Sequence, residues 1–318
     1  MAIPNVSEGR DPGVVEAIGR AYEAGGATLL ATHRDVDHHR SVHTLAAPQG
    51  TLAYALAAGA EAAIAHIDLT ADRGLHPHVG ALDVCPVVFL DEARAGAAFA
   101  EALLTAALIG ELGVPVFLYG ELAAGRTRAF LRRGGTPELV RRVQAGELRP
   151  DFGPGRVDPR HGAVLVAARP PLVAFNLDLE APASVDDARR IAALVREGGD
   201  EGLPGLRAIG LELAAHGGVA QVSCNVEDHR AVPLAALVAA VQRHAEVRRC
   251  ELVGLCPRAA LDGFPTDLEI AGLAIIEDAL ASAGLREALS PERSDGPRSV
   301  SPERSDGSRS WVTRRSGK

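Results

Sequence analysis

The apolar residues of this chain follow two copies of one order of strands and helices, and that repetition constrains the fold most strongly. Short or alternating apolar runs predict strands, and apolar residues spaced by three and four predict helices. The first copy has predicted strands near 2–7, 27–33, 39–46 and 81–90 and helices at 12–24 and 51–66. The second has predicted strands near 171–179, 206–214, 219–226 and 249–255 and helices at 185–196 and 233–246. Each copy reads β-α-β-β-α-β, which is typical of a ferredoxin-like α+β sandwich.

Local signals mark the ends of several of these elements. Pro48, Gln49 and Gly50 interrupt the third strand, and Thr51 opens an alanine-rich run that indicates a helix. Ser184 is placed as an N-cap, with carboxylates following in the first turn, where they favour the helix dipole. His216-Gly217-Gly218 indicates a hairpin between the second and third strands of the second copy. A further helix at about 94–111 and a strand at 115–119 extend the first copy.

Composition narrows the class of protein. The 318 residues are 47% hydrophobic but only 3% aromatic, so the core must be built from Ala, Val, Leu and Ile. We predict no membrane helix, because no apolar run is as long as the roughly 18 residues that one requires. The net charge of −8 argues against nucleic acid as a partner. The four cysteines form no CxxC pair, which together with the lack of a signal-peptide pattern predicts a cytoplasmic protein.

The end of the chain differs from the rest. Ser-Pro-Glu-Arg-Ser-Asp-Gly occurs at 290–296 and again at 301–307, in a stretch rich in Ser, Arg and Gly. Such a segment buries too little apolar surface to offset the entropy lost on ordering. We therefore predict an N-terminal subdomain at 1–165, a C-terminal subdomain at 166–288, and a disordered tail at 289–318.

Titratable side chains suited to acid–base chemistry cluster in the first copy. His76 precedes a proline, which fixes the backbone and holds the imidazole on a stiff loop at the start of a strand. Such a ring suits a general base. Asp35 and Asp37 fit two interpretations, as residues that orient or stabilise the charged ring and as ordinary turn residues between strands.

Metal binding is a competing interpretation, because seven of the eleven histidines lie between 33 and 78, with Asp35 and Asp37 among them. The spacing is poor for it, since His39 and His43 would share one face of a strand while His38 points away. We predict no metal site.

Several short motifs resemble the formiminotransferase domain, the folate-dependent half of formiminotransferase-cyclodeaminase. They follow one another in the order and spacing of that family. The residues that carry the resemblance are 4–9 (PNVSEG), 37–42 (DHHRSV), 73–86 (RGLHPHVGALDVCP), 114–121 (VPVFLYGE), 150–154 (PDFGP), 174–176 (AFN) and 221–225 (QVSCN).

The resemblance implies two ferredoxin-like subdomains whose sheets face each other across a folate cleft, and His76 as the catalytic base. It implies transfer of a formimino group between N-formimidoyl-glutamate and tetrahydrofolate, as a step of histidine breakdown and one-carbon metabolism, and it suggests a homodimer. The loop after 152 matches the family's folate loop, and Arg40 would supply a guanidinium for these polyanionic ligands. The loop residues are Gly153, Pro154, Gly155, Arg156, Val157, Asp158, Pro159, Arg160, His161 and Gly162.

Two departures keep other functions open. Leu75 and His78 stand where the family commonly has Glu and Arg beside the key histidine. A folate-binding or regulatory protein without turnover is therefore one alternative. A metal-dependent hydrolase that acts on an amidine through the 33–43 cluster is another.

Overall fold

Two mixed β-sheets form the fold, and helices cover the outer face of each. The computed structural model describes residues 1–71, 78–213 and 217–285. The elements of the first half are β1 (Asn5–Val6), α1 (Pro12–Ala24), β2 (Thr28–Asp35), β3 (Arg40–Ala46), α2 (Leu52–His66), β4 (Leu82–Val88), α3 (Ala95–Glu111), β5 (Val116–Leu118), α4 (Arg128–Arg132), α5 (Gly135–Gln144) and β6 (Val164–Arg169). Those of the second half are β7 (Val173–Leu179), α6 (Val185–Val195), β8 (Leu206–Leu213), β9 (Val219–Val226), α7 (Leu234–Gln242), β10 (Val247–Val253), β11 (Ile270–Ala271) and α8 (Ile276–Ser282).

The spatial order of the strands is the same in both copies. The first sheet runs β2-β3-β1-β4-β6-β5 and the second runs β11-β10-β7-β9-β8. Within each copy the first strand therefore lies between the third and fourth, and its pairings with both are antiparallel. This is the order of a ferredoxin-like β-α-β-β-α-β unit. The predicted α+β fold with two sheet-and-helix subdomains is confirmed.

The first sheet extends beyond the repeated unit. β6 pairs in parallel with both β4 and β5, so it belongs to the first sheet. The predicted boundary between 165 and 166 falls inside β6, and the division observed in the structure follows Arg169. The predicted tail at 289–318 lies outside the described residues.

Helix ends follow from local chemistry. Asp11 caps α1 by accepting from the N–H groups of Gly13 and Val14, and Pro12 occupies the first helical position, where no N–H is needed. Ser184 and Asp187 form a reciprocal capping box at the start of α6. The predicted starts of both helices agree with the structure.

Helices bury the outer face of each sheet, and the two inner faces meet. On the inner face of the first sheet, α4 and α5 also pack over β4, β5 and β6. Ile3, Val42 and Val88 of the first subdomain pack with Val253 of β10 in one buried apolar cluster. A second cluster joins Ala46 to Leu255 and α8. Because these contacts occupy only part of the two faces, polar residues elsewhere on them line an open cleft.

One helical segment, Glu92–Glu111, is long and apolar enough to cross a membrane by length and composition, with a mean hydropathy of 1.3. This finding corrects the sequence-based prediction that no segment meets that length. In the structure its inner residues Ala98, Ala102 and Ala106 are buried in the core of the first subdomain, where α3 packs against α2 and β6.

Candidate active site in the cleft between the sheets

The hairpin of β2 and β3 presents two of the predicted site residues to the cleft. Asp35 pairs with Arg40, and His33 pairs with Val42. Paired residues lie on the same face of a sheet, and positions two apart on one strand share that face. Because Val42 packs against Val253 of the second sheet, His33, Asp35 and Arg40 face the second subdomain.

Asp35 is bound to a histidine that was not among the predicted catalytic residues. The Nδ1 of His38 lies 2.6 Å from Oδ2 of Asp35, and the backbone N–H of His38 donates to Oδ1 at 2.8 Å. Burial raises the pKa of Asp35, but these hydrogen bonds from His38 outweigh it, and the pKa is lowered to about 2. Asp35 is therefore an anion at neutral pH, and it orients the imidazole of His38, which lines the cleft.

The turn of this hairpin is held by the N-terminal motif. His39 has a positive φ of 50°, and its Nδ1 accepts from the backbone N–H of Gly9 at 3.1 Å. A Cβ at Gly9 would lie 2.0 Å from the carbonyl oxygen of Asp35, so only glycine fits. Asp37 lies in the same turn and is half-buried. Its orienting role remains a prediction.

The facing surface of the second sheet carries a buried polar row. The amide nitrogen of Asn176 donates to Glu251 at 2.9 Å. Oδ1 and Oδ2 of Asp178 accept from Gln221 at 2.8 Å and from Arg249 at 3.0 Å. Asn176, Asp178 and Gln221 are buried, and the hydrogen bond between Asp178 and Gln221 is made away from water.

His33 connects the two surfaces electrostatically. Burial lowers its pKa below the ordinary value, whereas the nearby carboxylates of Glu251 and Asp35 act in the opposite direction. Because Glu251 belongs to β10 and Asp35 to β2, carboxylates of both subdomains lie within electrostatic range of this one imidazole.

Beside these residues the two sheets enclose a cavity of about 670 Å³. Cationic side chains of β3, of α4 and of β8 with the loop that precedes it line the cavity. Apolar side chains, which include Ile209, Leu211 and Val253, also line it. The arginines that line it are Arg40, Arg128, Arg132, Arg133, Arg196 and Arg207. Such a site suits a ligand with an apolar ring system and several negative charges.

The N-terminus of α4 places two of these arginines. Thr127 caps the helix by accepting from the N–H of Phe130 at 3.1 Å. Arg128 follows at once, 5.8 Å from the ring centre of Tyr119, and Arg132 lies one turn later. Neither arginine was among the predicted site residues, because no helix had been predicted over 128–132.

Asp83 binds both Arg132 and the backbone of Val79, which belongs to the same sequence motif as His76. Asp83 is 2% exposed, and its Oδ1 accepts from the backbone N–H of Val79 at 2.9 Å. Its Oδ2 pairs with the guanidinium of Arg132, which lines the cavity. One buried carboxylate thus positions both a cavity arginine and the backbone three residues after His76.

His76 itself lies outside the described residues, as do Leu75 and the rest of 72–77. Its role as a general base remains a prediction. The described residues on either side, up to Ala71 and from His78 onward, belong to the first subdomain.

The loop at 153–162 contacts described residues on both sides of 72–77 and does not line the cavity between the sheets. The carbonyl of Arg160 accepts from the N–H of Leu69, and the carbonyl of His161 accepts from the N–H of Ala81, both at 2.9 Å. A Cβ at Gly162, where φ is +68°, would lie 1.9 Å from the carbonyl oxygen of Val79. None of the ten predicted folate-loop residues lines the cavity of about 670 Å³, and their assignment to folate remains a prediction.

The 33–43 cluster does not assemble into a metal site in the described part of the chain. His43 is buried beneath α1, where its Nε2 lies 3.3 Å from the carbonyl of Val15, whereas His38 faces the cleft. Over residues 1–71, 78–213 and 217–285, no group of three or more His, Cys, Asp or Glu side chains is arranged to hold a metal ion.

Comparison with known proteins identifies the two subdomains. Residues 1–169 match the N-terminal subdomain of the formiminotransferase domain, and residues 174–263 match the formiminotransferase domain. The boundary between these matches coincides with the end of β6 in the structure.

Full-length relatives give the same result. The formimidoyltransferase-cyclodeaminases of Gallus gallus and Sus scrofa are 36% and 37% identical over 81% and 87% of this chain. The chain spans about half the length of these relatives (50% and 53%). The glutamate formimidoyltransferase of Streptococcus pyogenes is 33% identical over 81% of this chain and 89% of its own length. The chain therefore belongs to the formiminotransferase family, as its motifs had predicted.

Proposed function

We propose that this chain is a glutamate formimidoyltransferase that moves the formimino group of N-formimidoyl-glutamate to N5 of tetrahydrofolate. The proposal rests on the alignment with relatives whose names describe this transfer alone. These are the Streptococcus pyogenes protein, covered over 89% of its length, and a Thermoplasma acidophilum protein, 32% identical and covered over 88%.

The cleft supports tetrahydrofolate as the co-substrate. Its volume of about 670 Å³ lies in the range of sites for small organic ligands. Ile209, Leu211 and Val253 offer apolar contact for the pterin and aminobenzoyl rings, and the arginines offer charge for the glutamyl carboxylates. Burial and the charge of Arg132 lower the pKa of Arg40 to about 10, against the opposing effect of Asp35 and Asp83, so Arg40 remains a cation at neutral pH.

The reaction requires two proton movements. N5 of tetrahydrofolate attacks the amidine carbon, forming a carbon–nitrogen bond, and N5 gives up its proton to a base. The bond from that carbon to the nitrogen of glutamate then breaks as this nitrogen receives a proton. An imidazole can serve in both steps because its usual pKa is near neutrality.

Two histidines are candidates for these steps. His76 is assigned the role of base through the family resemblance. His38 is supported by its place in the cavity lining and by the carboxylate of Asp35, which orients its ring as the third member of a catalytic triad orients the base. Arg40 would hold an anionic group of the substrates in the same cavity.

We further propose that the protein works in the cytoplasm as a homodimer. All four cysteines are buried free thiols, which suits a reducing compartment. Tyr54 of α2 and Leu103 and Leu104 of α3 are exposed on two helices that pack against each other, and they would add apolar area to a subunit interface. Sedimentation velocity would test the dimer.

The direct test measures tetrahydrofolate-dependent consumption of N-formimidoyl-glutamate, together with folate binding. We expect turnover in the wild type, loss of turnover with retained folate binding in His76→Ala, and normal turnover in His66→Ala. His66 is an exposed histidine at the end of α2 and serves as the matched control.

A protein that binds folate without turnover is the second candidate, favoured by the departures at Leu75 and His78. Folate binding without consumption of the amidine by the wild type would establish it and refute the transferase. Absence of folate binding would refute both.

A further inference from the structure

A second, smaller cavity of about 60 Å³ adjoins the first where the two sheets meet. It shares Arg40, Arg128 and Arg132 with the larger cavity and adds a fourth arginine, Arg169, at the end of β6. Its polar lining otherwise consists of the amides Asn5 and Asn225, and no acidic side chain lines it among the described residues. Four guanidinium groups around so small a space form a site for an anion.

Two of these arginines, Arg40 and Arg169, form no direct ion pair with the described residues. Arg132 pairs with Asp83, and Arg128 lies 4.0 Å from Glu227. Arg169 donates to the carbonyl of Pro170 at 2.8 Å, and Tyr119 and Glu227 lie within its electrostatic range. Arg40 forms no ion pair with a described residue, although Asp35 and Asp83 lie within its electrostatic range. The Nε of Arg169 is buried without an acceptor. Burial lowers the pKa of the Arg169 guanidinium, and the nearby Tyr119 acts in the opposite direction.

We propose that this cavity binds the side-chain carboxylate of the amino-acid substrate, through Arg169 and Arg40, and so selects an acidic amino acid. The inference rests on the proposed transferase function. It names a specificity-determining residue, Arg169, that the family resemblance and the comparisons leave unassigned.

The shape of glutamate fits the two connected cavities. Its α-carboxylate is bonded to the carbon that bears the reacting nitrogen, so both must stay beside the folate in the larger cavity. Only the side-chain carboxylate, two methylene groups away, can reach the smaller space, where Val42, Val84 and Leu172 offer apolar contact to those methylenes.

The glutamyl carboxylates of folate are the other source of this chemistry. They are separated from N5 by the aminobenzoyl ring, and a cavity of about 60 Å³ has no room for that ring. The kinetic test separates the two sources, because each predicts an increase in KM for a different substrate.

The experiment compares N-formimidoyl-glutamate with N-formimidoyl-glutamine, whose side chain is a neutral isostere. We expect the wild type to prefer the acid by about 100-fold in kcat/KM, as a site built for a charged, hydrogen-bonding group does. In Arg169→Gln we expect this preference to fall below about 10-fold, with the KM for tetrahydrofolate unchanged. Arg169→Lys, which keeps the charge, should retain part of the preference.

Arg20→Gln is the matched control, because Arg20 is an exposed arginine of α1 on the opposite side of the first sheet. An unchanged preference in Arg169→Gln, or an increase in the KM for tetrahydrofolate instead, would overturn the assignment. Thermal unfolding of each variant confirms that it is folded.

Calorimetric titration with glutarate, a simple dicarboxylate, separates failure of this inference from failure of the transferase function. If the wild type transfers nothing but binds glutarate, and Arg169→Gln binds it at least about tenfold more weakly, the carboxylate site stands without the transferase. If neither protein binds glutarate, the site is overturned.

Discussion

Replacing Asp35 with asparagine tests the link between the β2–β3 hairpin and the cleft. The hydrogen bonds from His38 lower the pKa of Asp35 from an ordinary 3.8 to about 2. A shift of that size corresponds to about 2 kcal/mol of stability at neutral pH, since one unit of pKa is worth about 1.4 kcal/mol. The side chain is 15% exposed, so solvent screening is modest.

The pH dependence has a definite sign. Because the pKa is lower in the folded state, the stabilisation is complete above pH 5 or so and is lost as the pH falls toward 2. About half of it is gone at pH 3. The free energy of unfolding of Asp35→Asn should therefore lie about 2 kcal/mol below the wild type at pH 7 and about 1 kcal/mol below it at pH 3.

Urea unfolding of both proteins at the two pH values measures this difference, in which the titrations common to both proteins cancel. Asp267→Asn, at an exposed position, is the control and should lie within about 0.5 kcal/mol of the wild type at both pH values. The same deficit for Asp35→Asn at pH 3 and pH 7, or no deficit at pH 7, would refute the argument.

Three further predictions concern other features. Asp83→Asn should lower the free energy of unfolding by about 3 kcal/mol, because it leaves the guanidinium of Arg132 without its buried partner. In urea titrations the double variant Asp83→Asn/Arg132→Gln should regain most of that stability, although not the kcat/KM, and an unchanged stability of Asp83→Asn would contradict this prediction. Ser184→Ala should cost about 1 kcal/mol by removing the capping box of α6, whereas Ser184→Thr should not, and equal melting temperatures for all three proteins would show that the cap is unimportant. Burial raises the pKa of Cys85 and Cys256 to about 12, so the native protein should resist alkylation by iodoacetamide at pH 8. Mass spectrometry should find the urea-unfolded protein labelled at four cysteines, and rapid labelling of the native protein would contradict the prediction.

The repeated fold could be predicted because its signals are local. Alternation along β7 and β9 reflects one face packed under helices, and the predicted bounds of α1 agree with the structure because Asp11 and Pro12 define its start. β6 was not predicted, because a short apolar run before Pro170 forms a strand only when β4 and β5 lie beside it. α4 and α5 were not predicted; Gly134 lies between them and Gly135 begins α5, and glycine has a low helix propensity.

The site could be predicted only in part. Arg40 and Asp35 could be named from the sequence because they belong to a motif and to a hairpin whose pairing is local. The places of Arg132 and Asn176 in the cleft follow from how the two sheets face each other, which no short-range pattern encodes. Asn176 belongs to the motif at 174–176, and the structure adds its partner, Glu251, on the neighbouring strand.

The most direct test of the transferase proposal follows the formimino carbon itself. N-formimidoyl-glutamate labelled with ¹³C at that carbon is mixed with tetrahydrofolate and the protein, and the label is followed by NMR. The account predicts that the label appears on tetrahydrofolate as one glutamate is released for each group transferred. Label released as formamide or formate without tetrahydrofolate would show hydrolysis of the amidine and contradict the account.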